Sequence, residues 1–145
     1  MRMTLRVLQV AAACWAVAAC GVIAAQGAGP SVWDGVYTKE QAARGKETYV
    51  VFCANCHADD LAGTNSGDSG APPLKGGTFM KGSTVGALQA KIRKSMPQDA
   101  PGTMKDADVT EIVAYILEAN GFPAGTTPLP AATATTDRIR IAPRP

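Results

Sequence analysis

At 145 residues, with 46% of them hydrophobic, the chain has room for one domain with a core of its own. Its 14 Lys and Arg against 12 Asp and Glu give a formal net charge of +2. Both Arg2 and Arg6 lie in the N-terminal segment, and without them the balance is even, which excludes the strongly basic face that nucleic acid calls for.

Arg2 and Arg6 precede an apolar run from Val7 to Ala25, interrupted by Gln9. A charged start, an apolar stretch and small residues after it predict an export signal over residues 1–25, cut near Ala24 or Ala25. Val17-Ala18-Ala19-Cys20-Gly21 reads alternatively as a lipoprotein signal ending at Cys20, and an uncleaved anchor is the third reading. Each places the domain in the periplasm or elsewhere outside the cytoplasm, with membrane contact only through such an anchor. Cys14 and Cys20 fall inside the signal, so the exported part keeps Cys53 and Cys56. In an oxidising compartment a free pair forms a bridge unless it is committed elsewhere.

Residues 26–36 form a Gly- and Pro-containing connector. Thr38 followed by Gln41 has capping-box spacing and predicts a helix from Lys39 to Phe52, running straight into Cys53. From Asp59 to Gly82 the composition turns to Gly, Ser, Asn and Pro, an irregular length that a compact domain accommodates when it wraps a cofactor. A second helix is expected from about Thr84 to Lys94, with Val85, Leu88 and Ile92 on one side and Pro97 beyond it. The third has the clearest stripe: Val109, Ile112, Val113, Ile116 and Leu117, stopped by Asn120-Gly121. No strand signal competes, so the domain, residues 37–121, is all-α. By composition the Pro-, Ala- and Thr-rich tail, 122–145, is extended or disordered, at most lying on the domain surface.

The chemistry centres on Phe52-Cys53-Ala54-Asn55-Cys56-His57. A structural zinc site wants four ligands, whereas the exported chain offers two Cys and one His. A thioredoxin-like dithiol sits at a helix start beside a βαβ unit; here the motif ends a helix. Cys-x-x-Cys-His is also the attachment signature of one covalently bound haem c, in which Cys53 and Cys56 form thioethers and His57 ligates the iron. For the other axial position the candidates are Met80, Met96, Met104 or a lysine. Met96 is preferred, because Pro97 stiffens the loop that presents its sulfur. Met104 suits the role of apolar staple at the entry to the third helix, and spacing alone leaves Met80 open.

Taken together, Cys53 to His57, Met96-Pro97 and Ala114-Tyr115-Ile116 in the last helix resemble a class I c-type cytochrome, over roughly Tyr37 to Gly121. The resemblance implies three or more helices wrapped around one haem, with Gly45 and Tyr49 where the first helix crosses the last and Tyr115 as the aromatic that approaches the small residue. It also implies that the Pro72 carbonyl accepts the His57 N–H and that Leu74 packs on the haem. Lys105 departs from the family's Ser or Thr cap, which leaves the start of the last helix open. More loosely, Ile92 to Leu117 and the following Phe122-Pro123-Ala124-Gly125 with Leu129-Pro130 resemble cytochromes associated with quinoprotein alcohol dehydrogenases.

The function implied is single-electron transfer between a periplasmic dehydrogenase, of the quinoprotein kind, and a respiratory acceptor, with redox proteins as partners. The alternatives are a haem-c enzyme or ligand sensor with a labile sixth ligand, and a fixed electron-transfer subunit of a membrane dehydrogenase or oxidase complex. Lys75, Lys81, Lys91, Arg93 and Lys94 either steer an acidic partner or form a solvated face.

Overall fold

A computed structural model describes residues 29–64, 70–77 and 79–144. The expected export signal, residues 1–25, lies outside the described residues. Five helices follow in chain order: α1 (Lys39–Phe52), α2 (Ala54–His57), α3 (Val85–Ser95), α4 (Asp106–Ala119) and α5 (Thr133–Thr136), with a 3-10 turn at Val32–Asp34 before them. Among the described residues there is no strand, only two isolated bridges through Arg140, as the all-α expectation requires. No helix of the described residues is long and apolar enough to cross a membrane.

The helix ends follow local chemistry. At α1 the Thr38 hydroxyl accepts from the Gln41 N–H while the Gln41 side chain accepts from the Thr38 N–H, so two exposed donors are satisfied reciprocally. Thr84 caps α3 through the Ala87 N–H. Helix α4 begins after Lys105 with no side-chain cap, and Asp106 and Asp108 place negative charge against the positive end of its dipole instead. It stops at Asn120, followed by Gly121 with a φ of 78°.

Helices α1 and α4 cross closely. A Cβ on Gly45 would collide with the Glu111 carbonyl, so only glycine lets the two backbones meet. The nearest neighbour of Gly45 is the Glu111–Ile112 backbone. One turn further along α4, Tyr115 pairs with Tyr49 of α1, edge to face, at 5.3 Å between centroids. Around this crossing the core gathers Val109, Ile112, Val113, Ile116 and Leu117 from α4 with Leu88 and Ile92 from α3.

The segment after Gly121 belongs to the same core. Leu129, Thr136, Ile139 and Ile141 are all buried. The chain leaves α4 past Tyr37, whose hydroxyl donates to the Phe122 carbonyl and whose own carbonyl accepts from Gly125. At Gln41 the side chain exchanges two hydrogen bonds with the Leu129 backbone. Residues 139–141 then lie between 30–32 and 83–85, through Val32 N–H to Arg140 O, Arg140 N–H to Pro30 O, and Val85 N–H to Ile139 O. A Pro-, Ala- and Thr-rich composition lacks helical periodicity. The segment is nevertheless ordered, because its few large side chains and its backbone find partners on α1, α3 and the residues before α1.

Candidate functional site

The motif folds as one tight turn. Cys53 caps α1 by giving its N–H to the Tyr49 carbonyl, and its own carbonyl accepts from both Cys56 and His57 at 3.1 and 2.9 Å. This turn, α2, ranges both cysteines and the histidine on a single turn of backbone, with Cys53 half-buried, Cys56 exposed and neither in a disulfide. His57 is buried, at 8% exposure.

Several bonds invisible in the motif hold it in place. The Tyr49 hydroxyl donates to the Ala58 carbonyl at 2.8 Å, tying the end of the turn back to α1. Thr64 donates through its hydroxyl to the Cys56 carbonyl, and its backbone N–H to Ala71 O. Gly63 packs so closely under Ala71, Pro72 and Pro73 that a Cβ there would displace them. Asn120, at the end of α4, bridges the same loop by donating to Leu74 O and accepting from the Gly76 N–H. Sequence reasoning missed Thr64 and Asn120. Their type is common in loops and their role depends on partners 7 and 44 or more residues away.

These restraints deliver Pro72 to the histidine. The ring Nδ1 of His57 lies 2.9 Å from the Pro72 carbonyl oxygen. A carbonyl can only accept, so Nδ1 carries the proton and Nε2 keeps its lone pair for a metal. Leu74, two residues on, is half-buried against the core and its N–H bonds to Leu61 O. Met96 comes from a different element, the residue that ends α3; its N–H bonds to Ile92 O, and its side chain packs half-buried against the core. Met80 and Met104 share that half-buried state.

Burial pushes the Cys53 thiol up to about 11, with Cys56 adding to it, so Cys53 itself is held as a thiol. Among the described residues no group of three or more His, Cys, Asp or Glu is placed to hold a metal ion. The residues do fit haem c: two unbridged thiols on one turn, a buried imidazole with Nε2 free, and half-buried apolar side chains at Leu74, Phe79, Met80 and Met96. Of the five cations considered for steering, Lys75 pairs with Asp60 at 3.3 Å and Arg93 pairs with Asp106, while Lys81, Lys91 and Lys94 are exposed.

The chain is similar to known proteins. The thiosulfate dehydrogenase of Stutzerimonas stutzeri (strain A1501) is 37% identical over 79 residues, which are 51% of this chain and 26% of that protein. The chain thus spans about a quarter of the length of that curated relative. The sulfane dehydrogenase SoxCD from Paracoccus pantotrophus has a crystal structure that superposes with a TM-score of 0.46 at 25% identity, over 62% of this chain and 53% of that one. The model of the family described as cytochrome C oxidase, cbb3-type, subunit III matches residues 40–116. That match takes in both helices that cross at Gly45, the Cys-x-x-Cys-His turn and Met96, and the chain belongs to this family of cytochrome c domains.

Proposed function

We propose that the protein is an exported, periplasmic monohaem cytochrome c that carries single electrons from a dehydrogenase to a respiratory acceptor. The observation that carries the reading is the 2.9 Å hydrogen bond from His57, the last residue of the Cys-x-x-Cys-His turn, to the carbonyl of Pro72 in the loop beyond it. Haem c, when bound, supplies one-electron exchange between ferrous and ferric iron.

Each residue has a distinct part. Cys53 and Cys56 tether, one turn apart. His57 ligates through Nε2, and its bond to Pro72 fixes the plane of the ring and strengthens its donation. Met96 would offer the iron a soft thioether, which favours the ferrous state and raises the potential. Leu74 shields the ligand from water. An iron held by both His57 and Met96 would have no place for oxygen or peroxide, which is the chemistry of a carrier rather than of an enzyme or sensor.

The dehydrogenase donor is supported by the name of the relative from Stutzerimonas stutzeri, a thiosulfate dehydrogenase. A quinoprotein alcohol dehydrogenase is the donor implied by the Phe122 to Pro130 resemblance. A second reading, a fixed electron-transfer module of a larger dehydrogenase, is favoured by the chain's matching only 26% of that relative. Rapid mixing of the purified protein with each dehydrogenase class during turnover tests the proposal. Reduction in step with substrate oxidation, followed by reoxidation by a respiratory membrane fraction, is expected. Failure of every donor to reduce it overturns the carrier reading, and stable co-purification with a dehydrogenase favours the module.

A further inference from the structure

We infer that the C-terminal segment clamps α3 and thereby sets how firmly Met96 is held, with Gln89 and Thr136 as the positioning pair. The inference rests on the reading of Met96 as an axial ligand and adds what governs that ligand.

Helix α3 is gripped along one face. Val85, Gln89 and Arg93 recur every four residues and so share a stripe. At its start, Val85 gives its N–H to Ile139 O at 2.9 Å, and Ile141 gives its own to Ser83 O at 2.8 Å. In the middle, Gln89 donates to Pro130 O at 3.0 Å and accepts from the Thr136 hydroxyl at 2.6 Å. Both Gln89 and Thr136 are fully buried, at 0% exposure. Near the end, Arg93 donates to Ala131 O at 2.6 Å while pairing with Asp106 of α4. Gly86 lies so close to Asp137 that a Cβ there would clash, so tail and helix touch without a spacer.

Met96 continues this helix. Its N–H bonds to Ile92 O, which ties its backbone to the last turn of α3. On its other side the described hydrogen bonds are local, Ala100 N–H to Pro97 O and the Thr103 hydroxyl to Ala100 O. The position of the thioether is therefore inherited from α3, and α3 is held by the tail on one face as well as by the core on the other. A buried, satisfied polar pair favours one arrangement, and losing the Thr136 hydroxyl leaves the Gln89 side-chain oxygen without its donor, which favours excursions of the helix.

The holoprotein tests this through cyanide binding to ferric haem, which requires the methionine to leave, and through the reduction potential. Thr136→Val removes the hydroxyl at nearly constant shape and is expected to speed cyanide binding about tenfold, the equivalent of one lost hydrogen bond, and to lower the potential. Thr136→Ser keeps the hydroxyl and should match the wild type. Arg93→Lys, which loses the fork but keeps the charge, should give a smaller effect in the same direction, about threefold, and serves where Thr136→Val does not fold. In a Met96→Ala background Thr136→Val should leave the cyanide rate unchanged. Wild-type cyanide rates and potentials in Thr136→Val, or in Arg93→Lys should that one alone fold, overturn the clamp even where melting temperatures fall. A Met96→Ala spectrum identical to wild type overturns the ligand reading itself.

Discussion

The imidazole Nδ1 of His57 and the carbonyl oxygen of Pro72 lie 2.9 Å apart, although the two residues are separated by a Gly- and Ser-rich loop. The bond gives the imidazole a fixed tautomer and makes Nε2 a stronger donor, which stabilises ferric iron. Replacing Pro72 with Ala frees the backbone at that point and weakens the bond. The reduction potential is expected to rise by about 20–60 mV, equivalent to about 0.5–1.5 kcal/mol of hydrogen bonding acting on one oxidation state. Spectroelectrochemical titration of the variant and the wild type checks it; an unchanged potential would show that the bond does not tune the ligand.

Met96, Met80 and Met104 are all half-buried against the core, so the assignment of the axial thioether is a chemical prediction. Met96→Ala should lower the potential by on the order of 100 mV or more, because axial ligand identity is the largest lever on haem potential. Met80→Ala and Met104→Ala should leave it within about 20 mV. A large fall in either of those two variants would move the ligand there.

The α1–α4 crossing predicts an intolerant glycine. A methyl group at Gly45 meets backbone, which cannot rotate away, so Gly45→Ala should destabilise by about 3 kcal/mol or more. That corresponds to a fall in Tm on the order of 10 °C for a domain of this size. Thermal unfolding followed by circular dichroism measures it, and a Tm within about 2 °C of wild type would mean that the helices cross elsewhere.

Alkaline pH should expose the buried tyrosines. Burial pushes the Tyr37 hydroxyl up to about 12, with the Glu118 carboxylate adding to it, and burial raises Tyr49 and Tyr115 as well. A phenol whose folded pKa lies above its unfolded value holds its proton more tightly when folded. Its contribution to stability is therefore complete below about pH 10 and is lost as pH rises through about 12. Ultraviolet titration should find Tyr37 protonated at pH 10.5, where an exposed tyrosine is mostly ionised, and Tyr37→Phe should flatten the fall in denaturant stability over that range. A titration with free-tyrosine behaviour would contradict it.

Much of this architecture is written locally. Thr38 with Gln41 marks the start of α1, Thr84 the start of α3, and the stripe from Val109 to Leu117 the buried face of α4, because capping and periodicity depend on near neighbours. Cys53, Cys56 and His57 are legible for the same reason, since their spacing is set within one turn. The tail is less so. Arg138-Ile139-Arg140-Ile141 does alternate, and both isoleucines are buried with both arginines exposed, which is the period of a half-buried extended segment. Gln89 and Thr136 carry no such mark. Polar residues read as surface until the partner that satisfies them arrives from 47 residues away. Gly45 was legible as the point where the first helix meets the last, but not that the contact is with the Glu111 backbone, which comes from the opposite end of the domain's sequence.

The central claim is a haem c held by Cys53, Cys56 and His57 and closed by Met96, and it is tested most directly by the reduced-minus-oxidised spectrum of the purified protein before and after carbon monoxide. A low-spin c-type spectrum that carbon monoxide leaves unchanged in the wild type, and alters in Met96→Ala, is the predicted result. A wild-type spectrum without haem c, or one that carbon monoxide shifts at once, would contradict it.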